Sequence, residues 1–272
     1  MELSRIPEQG MSMRRFIDTD LDLSGKNVVV RGDLFRHMAR SLRLKIDTEV
    51  ILADGKGIEC TGVITAVERD SLTVIISERR QVRGDEDGLW LTLCQGLPKG
   101  DKMELILQKS TELGVSEVVP FLAERSVPRI SPEREQERLR RWQRVTGEAA
   151  RQAGCPAVPR VQLARGLAEA VRGTDHDLKL LLWEDERTTT LAGVLAATPA
   201  PRRIAVVVGP EGGLTAAEAA EAREAGFVPV TLGRRILRTE TAGIALVAIL
   251  QYLYGDLGGQ PHPWPAPAQP IP

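Results

Sequence analysis

From residue 89 onward, short apolar runs alternate with helical patterns, and this alternation restricts the fold more than any other feature of the sequence. The apolar runs cover residues 89–94, 115–121, 178–183, 204–208 and 227–230. The helical patterns between and after them cover residues 101–113, 132–152, 167–172, 216–225 and 241–254. Strands that alternate with helices are typical of a parallel sheet covered by helices. We therefore predict an α/β fold with a parallel sheet for this part of the chain.

The residues before this α/β pattern show a different spacing of apolar residues. Short β-type segments cover residues 27–31, 49–53, 59–68 and 71–78, with turn-forming residues between them. We predict a small β-barrel or sandwich here, interrupted by one helix at residues 33–44. That helix places Leu34, Met38 and Leu42 on one face. Its arginines lie on the opposite face, and on residue types alone a solvated basic surface explains them.

Composition shifts suggest the domain boundaries. The charged, glycine-flanked segment RGDEDG separates the two patterns, so we expect a β-barrel domain at residues 13–84 and an α/β domain at residues 85–258. We expect residues 1–12 to form a flexible N-terminal extension. Residues 259–272 are rich in proline, which disfavours both helix and sheet, and we expect a disordered tail.

Charge, cysteine and histidine patterns exclude several classes of protein. The 36 Lys+Arg and 37 Asp+Glu residues nearly cancel, so a histone-like nucleic-acid binder is excluded, although a local basic patch is not. Three cysteines without C-x-x-C spacing and three distant histidines predict neither a disulfide framework nor a metal site. The longest apolar stretch, near residues 243–250, is shorter than the roughly 20 residues that a bilayer requires. We expect a cytoplasmic protein without a membrane segment.

Two glycine-bearing loops are the candidate functional segments, because ligands of open parallel sheets bind at the carboxyl ends of the strands. The first follows the run 204–208 and reads GPEGGLT, and Thr215 with Glu218 forms a capping box for the next helix. The second, LGRRILRTETA, follows the run 227–230 and precedes an almost wholly apolar helix. A polar ligand pocket explains its three arginines, and a strand–turn–helix with solvated arginines is the alternative.

A third segment, LPKGDKMELILQKSTELG, follows the first strand of the α/β domain. Its lysines lie at the start of a helix, where the helix dipole disfavours cations, so an anionic neighbour is expected there. Neither glycine loop matches the P-loop pattern, and no strand is followed by G-x-G-x-x-G or G-x-S-x-G. The nucleotide-binding and hydrolase motifs are therefore excluded.

Five segments together resemble a known family. VVVGPEGGLTAAE, LGRRILRTETAG, LPKGDKMELILQKSTELGV, FLAERSV and RWQRVTGEAARQAG are similar to the RsmE type of ribosomal RNA small-subunit (uracil-N3) methyltransferase, of the SPOUT class. The resemblance covers about residues 13–254, and the two C-terminal loops are its most specific part. It departs at Glu148–Cys155, where the family pattern EAAEQSGR has an arginine in place of Cys155.

The resemblance implies the architecture and the cofactor. It implies a PUA-like β-barrel followed by a methyltransferase domain whose C-terminal chain forms a trefoil knot, an exception to the rule that chains do not thread loops. It also implies S-adenosyl-L-methionine bound inside the knot and a homodimer formed through the knotted region. The residues that match the cofactor positions are Leu182, Glu184, Gly209, Pro210, Glu211, Gly212, Leu232, Gly233, Ile236, Leu237, Thr241 and Ala242.

The implied reaction is methylation of N3 of a uridine in 16S ribosomal RNA. The base must leave its stack, and loss of the N3 proton leaves a negative charge to be stabilised. Arg238 is the candidate for stabilising that anion or positioning the base, and Glu211 or Glu240 is the candidate proton acceptor. Each carboxylate also has a structural interpretation, Glu211 as a brace of its loop and Glu240 as the acidic residue of a helix first turn.

The resemblance also gives the basic residues a partner, either 16S ribosomal RNA or the small ribosomal subunit. Phosphate contacts of this kind position RNA and weaken as salt rises. The candidate RNA-binding residues are Arg14, Arg15, Arg36, Arg40, Arg43, Lys99, Lys102 and Arg125. Two alternatives remain. The fold class that the resemblance implies also includes methyltransferases of transfer RNA, and a non-catalytic RNA-binding module is the alternative from another class. Cofactor binding distinguishes the second from an enzyme.

Overall fold

The computed structural model describes residues 13–81, 88–126, 132–155, 157–173, 175–198 and 200–258. The chain divides into two compact units near residue 82, which we call the N-terminal and C-terminal units. The extension at residues 1–12 and the tail at residues 259–272 lie outside the described residues. Within the described part of the chain, no helix combines the length and apolar character needed to cross a membrane.

A five-stranded sheet forms the N-terminal unit. Its elements are β1 (Arg14–Ile17), β2 (Asn27–Arg31), α1 (Gly32–Phe35), a π-helical segment (Arg36–Ser41), β3 (Glu49–Ala53), β4 (Ile58–Val67) and β5 (Ser71–Gln81). The strand order is β1-β3-β4-β5-β2, with β1 parallel to β3 and the other pairs antiparallel. Alternate residues such as Val30, Leu52, Ile64 and Leu72 are fully buried. The short strand β1 was not predicted, since only two of its four residues are apolar.

The helix of the N-terminal unit differs from the prediction in type and length. It begins at Gly32 and becomes π-helical from Arg36 to Ser41, and the Leu42 amide donates to the His37 carbonyl five residues back. Arg43 has a φ of +51°, outside the helical region, so the helix ends before residue 44. Leu34 and Met38 are buried, as predicted for the apolar face.

The C-terminal unit is a parallel α/β fold, as predicted. Its elements are β6 (Trp90–Gly96), α2 (Lys102–Glu112), β7 (Glu117–Phe121), α3 (Pro132–Ala153), β8 (Arg160–Val161), α4 (Leu167–Ala170), β9 (Leu178–Leu182), α5 (Leu191–Ala197), β10 (Arg203–Val208), α6 (Ala216–Glu224), β11 (Val228–Val230) and α7 (Thr239–Tyr254). The strand order is β11-β9-β10-β6-β7-β8. Strand β8 and helix α5 were not predicted.

Both faces of the parallel sheet are buried. On β10, Ile204 and Val206 pack in a cluster with residues of α2 and α7, whereas Ala205 and Val207 pack in a second cluster with residues of α4 and α6. A strand buried on both faces needs an uninterrupted apolar run, which is the pattern of residues 204–208.

The register of the sheet aligns the carboxyl ends of four strands. Val230 of β11 pairs with Leu182 of β9, and Leu182 pairs with Val208 of β10. Val208 in turn pairs with Gln95 of β6. The segments that follow these strands therefore leave the sheet side by side, at the edge where ligands of open parallel sheets bind.

Candidate functional site

A buried glutamine joins the segments at this edge. We call residues 209–215 the Gly209 loop and residues 231–238 the Gly233 loop. Gln95 is fully buried, and its Nε2 atom donates to Thr239 Oγ1 at 2.9 Å and to the Gly209 carbonyl at 3.4 Å. Thr239 Oγ1 donates to the same carbonyl at 2.5 Å. The Gly209 loop is thereby fixed against the residue at which the Gly233 loop enters α7.

Close backbone contacts define the shape of the Gly209 loop. A Cβ atom on Gly96 would lie 2.5 Å from Pro210 Cδ, and one on Gly212 would lie 3.0 Å from Arg125 Cβ. Gly213 has a φ of +69°, which glycine adopts without strain. Glycines are therefore needed where the loop passes β6 and the segment after β7.

The predicted capping box at the end of this loop is confirmed. The Thr215 hydroxyl accepts from the Glu218 amide at 3.2 Å, and the Glu218 carboxylate accepts from the Thr215 amide at 2.9 Å. Glu218 is buried and also accepts from the Glu124 amide at 2.9 Å. One carboxylate thus fixes the loop end to α6 and to the segment after β7.

The Gly233 loop is more exposed. Thr231 Oγ1 accepts from the Gly233 amide at 3.3 Å, which closes a tight turn, and Gly233 has a φ of +120°. Ile236 is fully exposed, whereas Leu232 and Leu237 are half-buried. Arg238 is exposed at the N-cap of α7. The loop therefore presents apolar and cationic groups beside the Gly209 loop.

A lysine links the two candidate carboxylates. Lys102 Nζ lies 2.9 Å from Glu211 Oε1 and 3.4 Å from Glu240 Oε2. The Lys99 amide donates to both carboxylate oxygens of Glu211 at 3.2 Å. Glu240 is largely buried, and its Oε2 atom faces the Lys102 ammonium group. The anionic neighbour expected at the start of this helix is therefore a pair of glutamates from the chain itself.

The titration of this cluster follows from its contacts. Partial burial raises the pKa of Glu211, but hydrogen bonds from Lys102, from its own amide and from the Lys99 amide outweigh burial and hold the pKa below its ordinary value. The hydrogen bond to Glu211 raises the pKa of Lys102, and burial offsets this only in part. The Lys102–Glu211 pair is therefore ionised throughout the neutral pH range.

The other candidate cofactor residues border the same edge. Leu182 ends β9, and the Glu184 carboxylate lies where a side chain on Gly213 would point. Arg125 Nη1 donates to the Gly212 carbonyl at 3.2 Å and lies 4.0 Å from Glu184. Arg125, predicted to bind RNA, thus contacts the Gly209 loop. Thr241 and Ala242 lie in the first turn of α7.

The basic residues of the N-terminal unit are not equivalent. Arg14, Arg36, Arg40 and Arg43 are exposed, although Arg36 pairs with Asp33 and the Arg40 guanidinium lies 5.9 Å from the Phe35 ring centroid.

Arg15 lies in a buried ion pair. Its Nε atom is 2.8 Å from Glu59, and only 9% of the side chain is exposed. Glu59 also accepts from Arg80 at 2.8 Å. This pairing ties β1 to β4 and β5, so Arg15 presents little surface to an external ligand.

Sequence reasoning missed Gln95 and Thr239 as the residues that join the two loops. The sequence signal for Gln95 was its position: a polar residue directly follows the mostly apolar run 89–94. Among the described residues, no group of three histidine, cysteine or acidic side chains is arranged to hold a metal ion.

Comparison with known proteins identifies both units. Residues 85–251 match the family model of an RNA methyltransferase domain, and residues 30–77 match that of an RNA methyltransferase PUA domain. The ribosomal RNA small subunit methyltransferase E of Bacillus subtilis (strain 168) is 30% identical over 228 residues, which is 82% of this chain and 89% of that protein. The predicted α/β fold with a PUA-like N-terminal domain is confirmed.

Two solved structures with bound cofactor are similar over nearly their whole length. The ribosomal RNA small subunit methyltransferase E of Neisseria gonorrhoeae, bound to S-adenosyl methionine, is 36% identical with a TM-score of 0.75, over 90% of this chain and 99% of that one. A putative methyltransferase of Legionella pneumophila with bound S-adenosylmethionine is 30% identical with a TM-score of 0.73, over 91% and 100% of the two chains.

Proposed function

The chain belongs to the ribosomal RNA small subunit methyltransferase E family, and on that premise we propose that it methylates N3 of a specific uridine in 16S ribosomal RNA. It is an S-adenosylmethionine-dependent ribosomal RNA methyltransferase. The observation that carries the proposal is the junction of two loops, made by Gln95 and Thr239, at the carboxyl edge of the sheet.

The residues at this edge fit S-adenosylmethionine. The half-buried side chains of Leu182, Leu232 and Leu237 offer apolar surface to an adenine ring, and the glycine-rich Gly209 loop brings backbone groups close to a ligand. Gln95 Oε1 is a buried acceptor without a hydrogen-bond partner among the described residues. When bound, the cofactor supplies an electrophilic methyl group on a sulfonium ion. We propose that the twelve cofactor residues named from the sequence hold it.

The chemistry on the RNA side needs a proton acceptor and a cation. As N3 forms its bond to the methyl carbon, the bond from that carbon to sulfur breaks, and the N3 proton must pass to a base. Glu211 is a weak base, because its pKa is lowered and its oxygens already accept from Lys102 and Lys99. We therefore assign proton acceptance to Glu240, whose Oε2 atom has the longer of the two contacts with Lys102, 3.4 Å against 2.9 Å for Glu211.

Arg238 supplies the cation in this proposal. It is exposed beside Glu240 in sequence, at the N-cap of α7, and it forms no ion pair among the described residues. A guanidinium at this position can stabilise the negative charge on the uracil oxygens as N3 loses its proton. Most of the rate enhancement should come from aligning N3 with the methyl group.

RNA binding is assigned first to the N-terminal unit. We propose residues 13–84 as an RNA-binding domain and residues 85–258 as the methyltransferase domain. Support comes from the PUA match and from four exposed arginines, Arg14, Arg36, Arg40 and Arg43. In the C-terminal unit, the exposed Lys99 retains this role. A ribosomal RNA substrate also supports a cytoplasmic location.

The C-terminal helix supports a homodimer. Ile249, Tyr252 and Leu253 of α7 are 37%, 65% and 50% exposed, and Ile236 of the Gly233 loop is fully exposed. Large apolar side chains exposed together on one helix are typical of an interface with a partner. We propose that a second copy of the chain covers them.

The path of the chain supports the knot. It passes from β10 beyond β9 to β11 and then returns, so that α7 packs on β6 and β10. We propose that this return is threaded as the trefoil knot of the SPOUT class.

Nucleoside mass spectrometry of ribosomal RNA from a strain that lacks the gene tests the function. We expect 3-methyluridine to disappear from small-subunit RNA and to return when the wild-type gene is restored. Methyl transfer to transfer RNA, but not to small-subunit RNA, would instead identify a different enzyme of the same fold. If calorimetry with S-adenosylmethionine shows no binding heat, the chain is an RNA-binding module and the proposal fails.

A further inference from the structure

Lys102 lies at a position that is electrostatically unfavourable for a cation unless a nearby anion compensates. It is the first residue of α2, where the exposed backbone amides carry partial positive charge. Its side chain does not point to solvent as a phosphate ligand would; only 35% of it is exposed, and its ammonium group faces two glutamates. The expectation that Lys102 contacts RNA phosphates is therefore less well supported than that for Lys99.

The two glutamates come from the two sides of the candidate cofactor site. Glu211 belongs to the Gly209 loop, and Glu240 belongs to the first turn of α7, which follows the Gly233 loop. Lys102 Nζ is within ion-pair distance of both, so a single cation connects three segments that are distant in sequence. The neighbouring strand β6 contributes Gln95 here, which carries no charge. Among the described ion pairs, Lys102 is therefore the cation that lies between the two carboxylates.

Removal of that cation leaves two carboxylates close together in a partly buried site. Like charges in such a site repel, and each loses a charge-assisted hydrogen bond or ion pair. The Lys99 amide still holds Glu211, but it cannot hold Glu240. Among the described residues, the first turn of α7 and the Gly209 loop would then be joined by the hydrogen bond from Thr239 to the Gly209 carbonyl and by those from Gln95 to both.

We propose that Lys102 is a positioning residue, which sets the spacing between the Gly209 loop and the first turn of α7 and so shapes the cofactor site before the cofactor binds. The proposal rests on the assignment of this edge as the cofactor site. Lys102 acts through Glu211 and Glu240 and needs no contact with the transferred methyl group.

Hydrogen exchange of the cofactor-free protein tests the bridge itself. In Lys102→Gln, amides of residues 209–215 and 239–243 should exchange about tenfold faster, because the local opening free energy falls. Lys102→Arg should exchange as the wild type does. Lys109→Gln is the matched control, since Lys109 lies in the same helix and pairs with Glu112 at 2.8 Å, away from both loops. Faster exchange throughout the C-terminal unit, or none in these segments, would overturn the proposal.

Calorimetry and kinetics with S-adenosylmethionine test the consequence. Lys102→Gln should bind the cofactor about tenfold more weakly, the loss typical of one charge-assisted hydrogen bond. Its KM for the cofactor should rise by a similar factor. Any change in kcat should come with a shift in its pH dependence, because Lys102 also pairs with Glu240, the proposed proton acceptor. Lys102→Arg should restore most of the affinity. Unchanged affinity in Lys102→Gln, or a loss of kcat alone, would contradict a positioning role.

A second variant guards against a folding defect. Glu211→Gln breaks the same bridge from the loop side and should accelerate exchange at residues 209–215 even if Lys102→Gln does not fold; wild-type exchange there would refute the bridge. The exchange result is independent of activity. If the wild-type protein binds no S-adenosylmethionine, the proposed function fails, and the exchange data still decide whether Lys102 holds the loops together.

Discussion

Substitution of Gly96 by alanine is the perturbation with the clearest geometric consequence. Gly96 ends β6 and lies against the Gly209 loop. An added Cβ atom would lie 2.5 Å from Pro210 Cδ, 2.6 Å from Pro210 N and 2.9 Å from the Gly209 carbonyl carbon. Two of these three atoms belong to the backbone, so a side-chain rotation cannot relieve the contact. The loop itself must move.

The size of that movement follows from ordinary contact distances. Carbon atoms pack at about 3.5–4.0 Å, so the loop must retreat by about 1 Å. This displacement would break or lengthen the hydrogen bonds from Gln95 and Thr239 to the Gly209 carbonyl. Overpacking of this kind costs about 1–3 kcal/mol of unfolding free energy. A shift of about 1 Å at a site that positions reactants costs on the order of a hundredfold in kcat/KM.

Urea unfolding, calorimetry with S-adenosylmethionine and methyl-transfer kinetics measure these effects. The matched control is Gly147→Ala in α3, where an added Cβ meets no atom within 4 Å. That variant should gain about 0.5–1 kcal/mol in stability, because alanine favours helix, and should keep wild-type activity. If Gly96→Ala retains both the stability and the cofactor affinity of the wild type, the Gly209 loop does not form the site as described.

Three further predictions address catalysis, pH dependence and thiol reactivity. Arg238→Ala should lower kcat about a hundredfold or more, because the guanidinium acts on the developing uracil anion. Calorimetry should show a cofactor affinity within a few-fold of the wild type. Retained turnover would remove Arg238 from the mechanism. Burial, with the positive charges of Arg203 and Lys179, lowers the pKa of His176 from 6.5 to about 4. Between these two pH values the unfolded chain binds a proton on His176 that the folded protein does not, so the contribution of neutral His176 to the unfolding free energy is full above pH 6.5 and falls as the pH drops towards 4. His176→Gln should remove about 1–2 kcal/mol of this acid-induced loss. Urea unfolding at neutral and acid pH would measure it. Burial is the main cause, and the nearby charge of Glu117 a smaller one, that raises the pKa of the Cys94 thiol to about 12. Iodoacetamide should therefore modify the partly exposed Cys155 well before Cys94 in the native protein. Equal rates of modification would contradict the packing of β6.

The strands were predictable because their patterns depend on local sequence. Asn27–Arg31 and Glu49–Ala53 lie where the apolar patterns placed them, and the capping residues of α6 gave its start. The π-helical segment after Phe35 was not predictable, because the apolar spacing of residues 33–44 indicates a helix but not which carbonyl each amide contacts. Likewise, the two-residue β8 exists only through its pairing with β7.

The two loops of the site were predictable, whereas the contacts between them were not. Each loop is a glycine-bearing segment after a strand, which is visible in sequence. The link from Gln95 to Thr239, however, depends on the strand register that brings β6 beside β10. The pairing of Lys102 with Glu211 and Glu240 also depends on tertiary packing, so the charge pattern gave only the expectation of some anion near α2.

The most direct test of the account is a crystal structure of the protein grown with S-adenosylhomocysteine, the demethylated cofactor. We predict electron density between the Gly209 loop and the Gly233 loop, in contact with Leu182 and Leu237. Density elsewhere would contradict the central claim, for example in the groove of about 350 Å³ between α2 and α3 that Glu104 and Glu148 line.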